Sequence, residues 1–295
     1  MSHRSDFDKK SSGPEVAELL KWYRWATQDP ATQAAVLAQI YRQIRPGCEA
    51  VALREDFSGS AADSVAWVAA APNRRALAVD IDADTITYAR RRAARLIGGH
   101  AKRITFVEGD VHAVTVPEAE RADVVSVLNF SSFYFHERAA LLRYFISARE
   151  SLNQHGMLVL NVFGGPGAMQ PRLDRHLIVP KLERGQAEAL PPFDYLWEQL
   201  GYDACSARID CRIHFEIADG TSADGRRLVR DAFRYDWRLW TLPELTELLR
   251  AAGFADAQVW RHTATTTGAD PEVFLGPVDS LRDLDLWLAY VVAIR

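Results

Sequence analysis

Cysteine is scarce in this sequence. Among 295 residues there are three, Cys48, Cys205 and Cys211, and no two have C-x-x-C spacing. That argues against a disulfide framework and against a thiolate zinc site. Long apolar runs are missing as well. No stretch approaches the roughly 18 apolar residues of a membrane helix, and the opening MSHRSDFDKKSSG is polar, without the apolar segment of a secretory leader. Its first dozen residues are expected to be mobile. Charge of one sign is not in excess: 35 Lys and Arg face 39 Asp and Glu, for a net charge of −4. Such a balance exerts no general pull on phosphate backbones or anionic membranes. No H-E-x-x-H and no G-x-S-x-G occurs. The expectation is a cytoplasmic protein without a metal and without a nucleic-acid or membrane partner. A homo-oligomer stays open.

What is present is ordinary globular material, 48% hydrophobic and 25% charged. Residues 14–44 have helical spacing, interrupted at Asp29-Pro30, where a second helix can start. Short apolar runs then alternate with amphipathic helices. Strands are expected at 50–54, 75–79, 104–107, 122–128 and 156–163, and helices at 61–71, 83–96 and 137–152. Nearly continuous apolar runs of this length suit a parallel sheet covered on both faces, an α/β doubly wound arrangement. After the breaker cluster Gly164-Gly165-Pro166-Gly167 the pattern changes. Residues 193–202, 207–218 and 227–237 read as antiparallel strands, separated by turn residues such as Asp219-Gly220 and Asp224-Gly225. In RIDCRIHFEIA the alternation puts His214 on a polar, solvent-facing side. A helix at 242–252, closed by Gly253, and strands at 257–261 and 286–294 complete the sheet. The expected division is 1–48 as an N-terminal helical lid, 49–165 as the binding core, 166–238 as an antiparallel cap and 239–295 as the completion of the core.

Three acids stand at three successive strand ends. The first strand ends in Leu53-Arg54-Glu55-Asp56 and runs into the small-residue loop Phe57-Ser58-Gly59-Ser60-Ala61. Such a loop lets backbone N–H groups and a positive helix end approach a ligand. The second strand ends in Asp80, 25 positions beyond Glu55, where a carboxylate suits the two hydroxyls of a ribose. The third ends in Glu108-Gly109-Asp110, where an acid can accept from an exocyclic amine. A dinucleotide dehydrogenase would need G-x-G-x-x-G after the first strand, and this loop has one glycine.

With this spacing the sequence resembles the class I S-adenosylmethionine-dependent methyltransferases. The segment LREDFSGSA is similar to the variant LREDFCGTA of one subgroup. Glu55 takes the place of the motif's acid and Gly59 that of its second glycine, while Phe57 stands where the first glycine usually does. The resemblance implies a Rossmann-like, mostly parallel sheet of seven strands, S-adenosylmethionine as cofactor and a small-molecule acceptor at N, O or C. It implies that Asp80 holds the ribose, that Asp110 and Val111 meet the adenine and that Asn129 lies beside the methionine part, with Glu55 and Gly59 in the motif loop. Arg54, Ile81 and, from the helical lid expected to close over the cofactor, Tyr23 are further cofactor-binding candidates. Arg54 can pair with a ligand carboxylate or, equally, with Asp56.

Methyl transfer needs alignment and exclusion of water more than a fixed base. Catalytic candidates are therefore drawn from the strand end after residue 128: Asn129, Tyr134 and His136. Substrate-binding candidates come from the cap: Trp197, Glu198 and Arg238. Trp25 and Gln28 are further lid candidates, with Trp22 and Trp25 equally readable as core. Two other readings remain open. One keeps the cofactor but transfers its aminocarboxypropyl group, or cyclises its methionine part, for example to azetidine-2-carboxylate. The other is a non-catalytic cofactor-binding subunit that supports a partner.

Overall fold

A computed structural model describes residues 15–219, 225–264 and 273–295. The first dozen residues, and most of the turn region 219–225, lie outside the described residues. The N-terminal segment forms helices α1 (Val16–Thr27) and α2 (Pro30–Ile44). Asp29 caps α2 by accepting from the Thr32 N–H and hydroxyl at 3.3 and 2.7 Å, and Pro30 opens its first turn. The core then alternates β1 (Ala52–Asp56), α3 (Ala62–Ala70), β2 (Arg75–Asp80), α4 (Ala83–Ile97), β3 (Ile104–Glu108), β4 (Ala122–Val127), α5 (Arg138–Glu150) and β5 (Leu152–Gly164). A cap follows, made of β6 (Arg172–Ile178), β7 (Phe193–Asp203), β8 (Arg208–Ala218) and β9 (Arg226–Arg238). Helix α6 (Leu242–Ala251) and strands β10 (Asp256–Ala264), β11 (Val273–Pro277) and β12 (Trp287–Ile294) return to the main sheet. Helix α6 starts with a reciprocal Thr241–Glu244 capping box, and Gly253, at φ +91°, follows its end.

The main sheet runs β11-β10-β12-β5-β4-β1-β2-β3. Strands β1 to β5 are parallel, and β12, β10 and β11 join antiparallel. The α/β, doubly wound, mostly parallel expectation holds. The sheet has eight strands where the pattern suggested seven, the addition being the short edge strand β11. The runs read as strands are apolar because both sides are covered. In β4, Val124 packs with α2 and α3 on one face, and Val125 and Val127 pack with α5, α6 and the cap on the other. The chain builds β1, β2 and β3 outward, then returns to place β4 beside β1. That reversal opens a crevice at the carboxyl ends of β1 and β4.

The cap is a separate antiparallel sheet, β6-β7-β8-β9. Strand β6 was not expected, because its alternating Leu and charged residues follow a breaker cluster. Along it, Leu173, Arg175 and Leu177 alternate with Arg172, Asp174 and His176, which line the cavity. His214 lies on the polar side as expected, but its expected exposure to solvent fails. A bulge in β9 around Asp231 covers that residue, which is 6% exposed. Its Nε2 lies 3.0 Å from Glu198, and its Nδ1 accepts from the Asp231 N–H at 2.8 Å.

Candidate active site

The loop after β1 turns through three left-handed residues: Phe57 at φ +55°, Gly59 at +51° and Ala61 at +51°. Phe57 thus adopts a backbone conformation that a glycine takes without strain, at a cost of about 1 kcal/mol or more. Its ring offsets this by packing on Phe135, Tyr144 and Tyr134 at centroid distances of 5.9, 6.2 and 6.3 Å. The loop is tied to the next strand: Ser58 donates to the Val79 carbonyl at 2.9 Å, and Gly59 donates to Asp80 Oδ2 at 2.7 Å. Asp80 Oδ1 accepts from the Asp82 N–H at 3.0 Å, and its backbone carbonyl accepts from Gly109 at 2.9 Å. The three strand ends are therefore stitched together. Ile81 is 64% exposed at this lip. Asp110 is exposed and caps its own turn through the His112 N–H at 2.9 Å. Val111 is buried.

Arg54 does not face the crevice. It is 1% exposed, its Nε donates to Asp56 Oδ1 at 2.7 Å, and its other nitrogens reach Ser151 Oγ and the Val111 carbonyl at 2.5 and 3.0 Å. Of the two pairings open in the sequence, the one with Asp56 is formed. Tyr144 completes the network by donating to Asp56 Oδ2 at 2.7 Å. Glu55 is buried too and accepts from the Ser64 N–H at 2.8 Å and from its hydroxyl, which anchors the first turn of α3 to β1.

Behind the loop, Glu55 and Asp63 form a buried pair of acids. Burial pushes both carboxyls above the usual carboxylate range. Asp63 adds to the shift of Glu55, and Asp29 to that of Asp63. An acid whose folded value is raised stabilises the fold in its protonated form. Its contribution is complete below the ordinary carboxylate range and is lost as pH rises through the raised values. The ligand-free protein is therefore expected to unfold at a higher temperature near about pH 5.5 than near about pH 8, a difference that Glu55→Gln/Asp63→Asn should reduce. Scanning calorimetry across that range checks it, and a flat or inverted profile would sink it.

Beyond the crevice lies a cavity of about 330 Å³. Its floor is the β4 and β5 ends, with Leu128, Asn129, Phe130, Asn161 and Phe163. Asn129 and Phe130 are both left-handed, at φ +53° and +60°, and Asn161 Oδ1 holds that turn by accepting from the Phe130 N–H at 2.9 Å. One wall is α1 and its end, with Tyr23, Thr27, Gln28 and Asp29. Trp22 is instead core, packed on Phe215, and Trp25 lies under the Arg24 guanidinium. Helix α2 packs mainly on the other face of the main sheet, although Gln33 reaches the cavity. The opposite wall is the cap, with Tyr195, Trp197, Gln199, Tyr235 and Trp237. Burial raises the phenols of Tyr23, Tyr195 and Tyr235, so they serve as neutral hydrogen-bonding groups and not as bases. Tyr134 joins the two parts, touching Phe57 on one side and Tyr235 and Trp237 on the other, at 6.3 and 6.0 Å.

Of the catalytic and substrate-binding candidates, Tyr134, Glu198, His136 and Arg238 do not line this cavity. Glu198 lies between Trp197 and Gln199 on β7, so strand alternation turns it to the outer face, where it meets His214. His136 and Arg238 form the joint between cap and core. His136 Nε2 is 2.7 Å from the Asp236 carbonyl. Arg238 donates to the His136 carbonyl at 2.8 Å, pairs with Glu244 at 3.2 Å and stacks on Trp240. Asp63 and Asn161 were missed, yet each left a signal: a polar residue set in an apolar run, AADSVAWV and MLVLNVF. Gln199 is held inward by bonds to the Ala168 and Gln170 carbonyls at 2.8 and 2.7 Å. Among the described residues no group of three or more potential ligands is arranged to hold a metal, and no helix is long and apolar enough to cross a membrane.

No protein-family model and no curated protein matches the sequence. The fold does have solved counterparts. The amino pentose methyltransferase CalS10 of Micromonospora echinaspora, solved with S-adenosylmethionine bound, is 16% identical. The alignment covers 97% of this chain and 99% of that one, at a TM-score of 0.63. The sugar N-methyltransferase KedS8 of Streptoalloteichus is 19% identical over 100% and 98% of the two chains, at 0.62. An S-adenosylmethionine-dependent methyltransferase of Clostridium acetobutylicum is 12% identical over 94% and 97%, at 0.64. At such identities the likeness is one of architecture: the chain has the fold of these methyltransferases, cap included.

Proposed function

We propose that the protein is an S-adenosylmethionine-dependent methyltransferase acting on a small-molecule acceptor. The observation that carries this reading is the junction of two spaces at the switch point. An acid-edged loop at Gly59 and Asp80 stands beside an aromatic-walled cavity bordered by the cap, and Tyr134 touches both Phe57 of the loop and Tyr235 and Trp237 of the cavity wall. The residues present fit the cofactor. A Cβ added at Gly59 would meet nothing within 4 Å, so the loop leaves room for a ligand. Asp80 retains lone pairs for ribose hydroxyls beyond the two N–H groups it already accepts. Ile81 offers an apolar face and Asp110 with Val111 a polar edge to the adenine, while Tyr23 and Asn129 border the methionine end.

When bound, S-adenosylmethionine supplies an activated methyl group. This chain's residues orient the acceptor and exclude water. The faces of Tyr23, Tyr235, Trp197 and Trp237 favour a cationic centre, and the cap sequesters it from solvent. With the nearby phenols held neutral, the acceptor presents its own lone pair. Aminocarboxypropyl transfer and cyclisation use the same crevice, and product mass separates the three. S-adenosylhomocysteine is the expected product from S-adenosylmethionine and a metabolite extract, and methylthioadenosine would overturn methyl transfer. The non-catalytic reading rests on exposed aromatics in the cap, whereas Tyr195, Trp197, Tyr235 and Trp237 line the cavity and Phe193 and Phe215 are buried in the core.

A further inference from the structure

We propose that Asp63, with Gln28 and Asp29, forms a subsite for a primary ammonium group on the side of the cavity between α1 and α3. Asp63 is 2% exposed and lines the cavity, and its Oδ1 has no hydrogen-bond partner. The Oε1 of Gln28, on the same wall, is also buried without a partner. Two buried acceptors left unsatisfied are costly unless a donor completes them. Asp29 lines the cavity as well and acts on Asp63 through space. Behind them the Glu55 carboxylate is already engaged by Ser64.

The charge balance points the same way. Arg172, a cation that lines the cavity, is paired with Asp174 at 2.7 Å. The wall at Asp63 is thus rich in acceptors and carboxylates. An ammonium group has three donors and no acceptor, which matches two carboxylates and an amide oxygen. The Tyr23 ring lines the same wall, where an aromatic face suits the attached carbon chain. In the absence of a cation, burial and Asp29 drive Asp63 toward its neutral form, and an ammonium would restore the charged one.

This ammonium has two sources. One is the methionine end of S-adenosylmethionine, which rests on the function proposed above. The other is an amine acceptor, which does not.

Calorimetry on the full chain separates them. The first arm compares S-adenosylhomocysteine with its deaminated analogue. The second, with S-adenosylhomocysteine present, compares cyclohexylamine with cyclohexanol. Wild type should prefer the amine in at least one arm by about tenfold to a hundredfold, and Asp63→Asn should abolish that preference. Gln28→Leu should reduce it by a smaller factor. Loss in the first arm assigns the subsite to the donor, and loss in the second to the acceptor. Asp63→Asn removes a buried repulsion with Glu55, so its ligand-free melting temperature should equal or exceed that of wild type. No preference in either arm, or one that Asp63→Asn leaves intact, overturns the proposal. If S-adenosylhomocysteine fails to bind while wild type still prefers cyclohexylamine, the function proposed above falls and the ammonium subsite stands.

Discussion

Asp56→Ala should destabilise the protein by about 3–5 kcal/mol, among the largest losses expected from any single change near the site. Asp56 is 1% exposed and is the counter-ion of Arg54, itself 1% exposed. Removing it leaves a buried guanidinium uncompensated and takes the acceptor from the Tyr144 hydroxyl, on a side chain with no exposed surface. Arg54→Ala should cost a similar amount, because the carboxylate is then stranded. The double replacement Arg54→Met/Asp56→Leu should recover most of the loss, since an apolar pair of comparable volume removes both desolvation penalties. Urea midpoints at unchanged slope measure all three. Additive losses in the double variant would show that the pair does not act as a unit. The same network explains why Arg54 makes no use of its charge at the ligand: Asp56, Ser151 and the carbonyl of Val111 already engage it.

The second large effect falls on ligand affinity. Asp80→Ala should weaken S-adenosylhomocysteine binding about a hundredfold. The carboxylate holds Gly59 at 2.7 Å and the Asp82 N–H at 3.0 Å, so it shapes the loop and also the entry to α4. Its loss frees the loop backbone and removes the acceptor proposed for the ribose hydroxyls. Asp80→Asn is also expected to fail, because an amide can present only one oxygen to two N–H donors and turns an NH₂ toward the other. Titration calorimetry reads both variants, and affinity within about threefold of wild type would exclude Asp80 from the site.

Much of the core was legible because its signals are local. Apolar runs mark strands that alternation with helices makes parallel. Asp29-Pro30 and Thr241 with Glu244 mark helix starts through bonds made within one turn. Gly59 and Asp80 stand at successive strand ends, where the first βαβ unit alone brings them together. The cap's three long strands were legible for the same reason, since period-two alternation needs no knowledge of the partner sheet.

What failed was orientation over distance. Glu198 and Trp197 are neighbours in sequence, yet strand pleat sends one out and the other in, and only the curvature of the cap over β4 and β5 says which side is the cavity. His214 follows the polar alternation but is buried by a bulge in another strand around Asp231. His136 and Arg238, 102 positions apart, meet in a joint that no local pattern announces. The left-handed Phe57 is tolerated only because Phe135 and Tyr144 arrive from later segments to hold its ring.

The order of residues alone was enough to specify a doubly wound sheet, a loop with one glycine and acids at three strand ends. These follow from backbone geometry and side-chain periodicity within about 30 residues, the length of one βαβ unit. The walling of the cavity by the cap, engagement of Arg54 by Asp56 and its neighbours, and the orphaned acceptors of Asp63 and Gln28 were settled by tertiary packing. Each depends on which groups from distant segments share a dry volume, because burial, not sequence distance, decides whether a polar atom needs a partner.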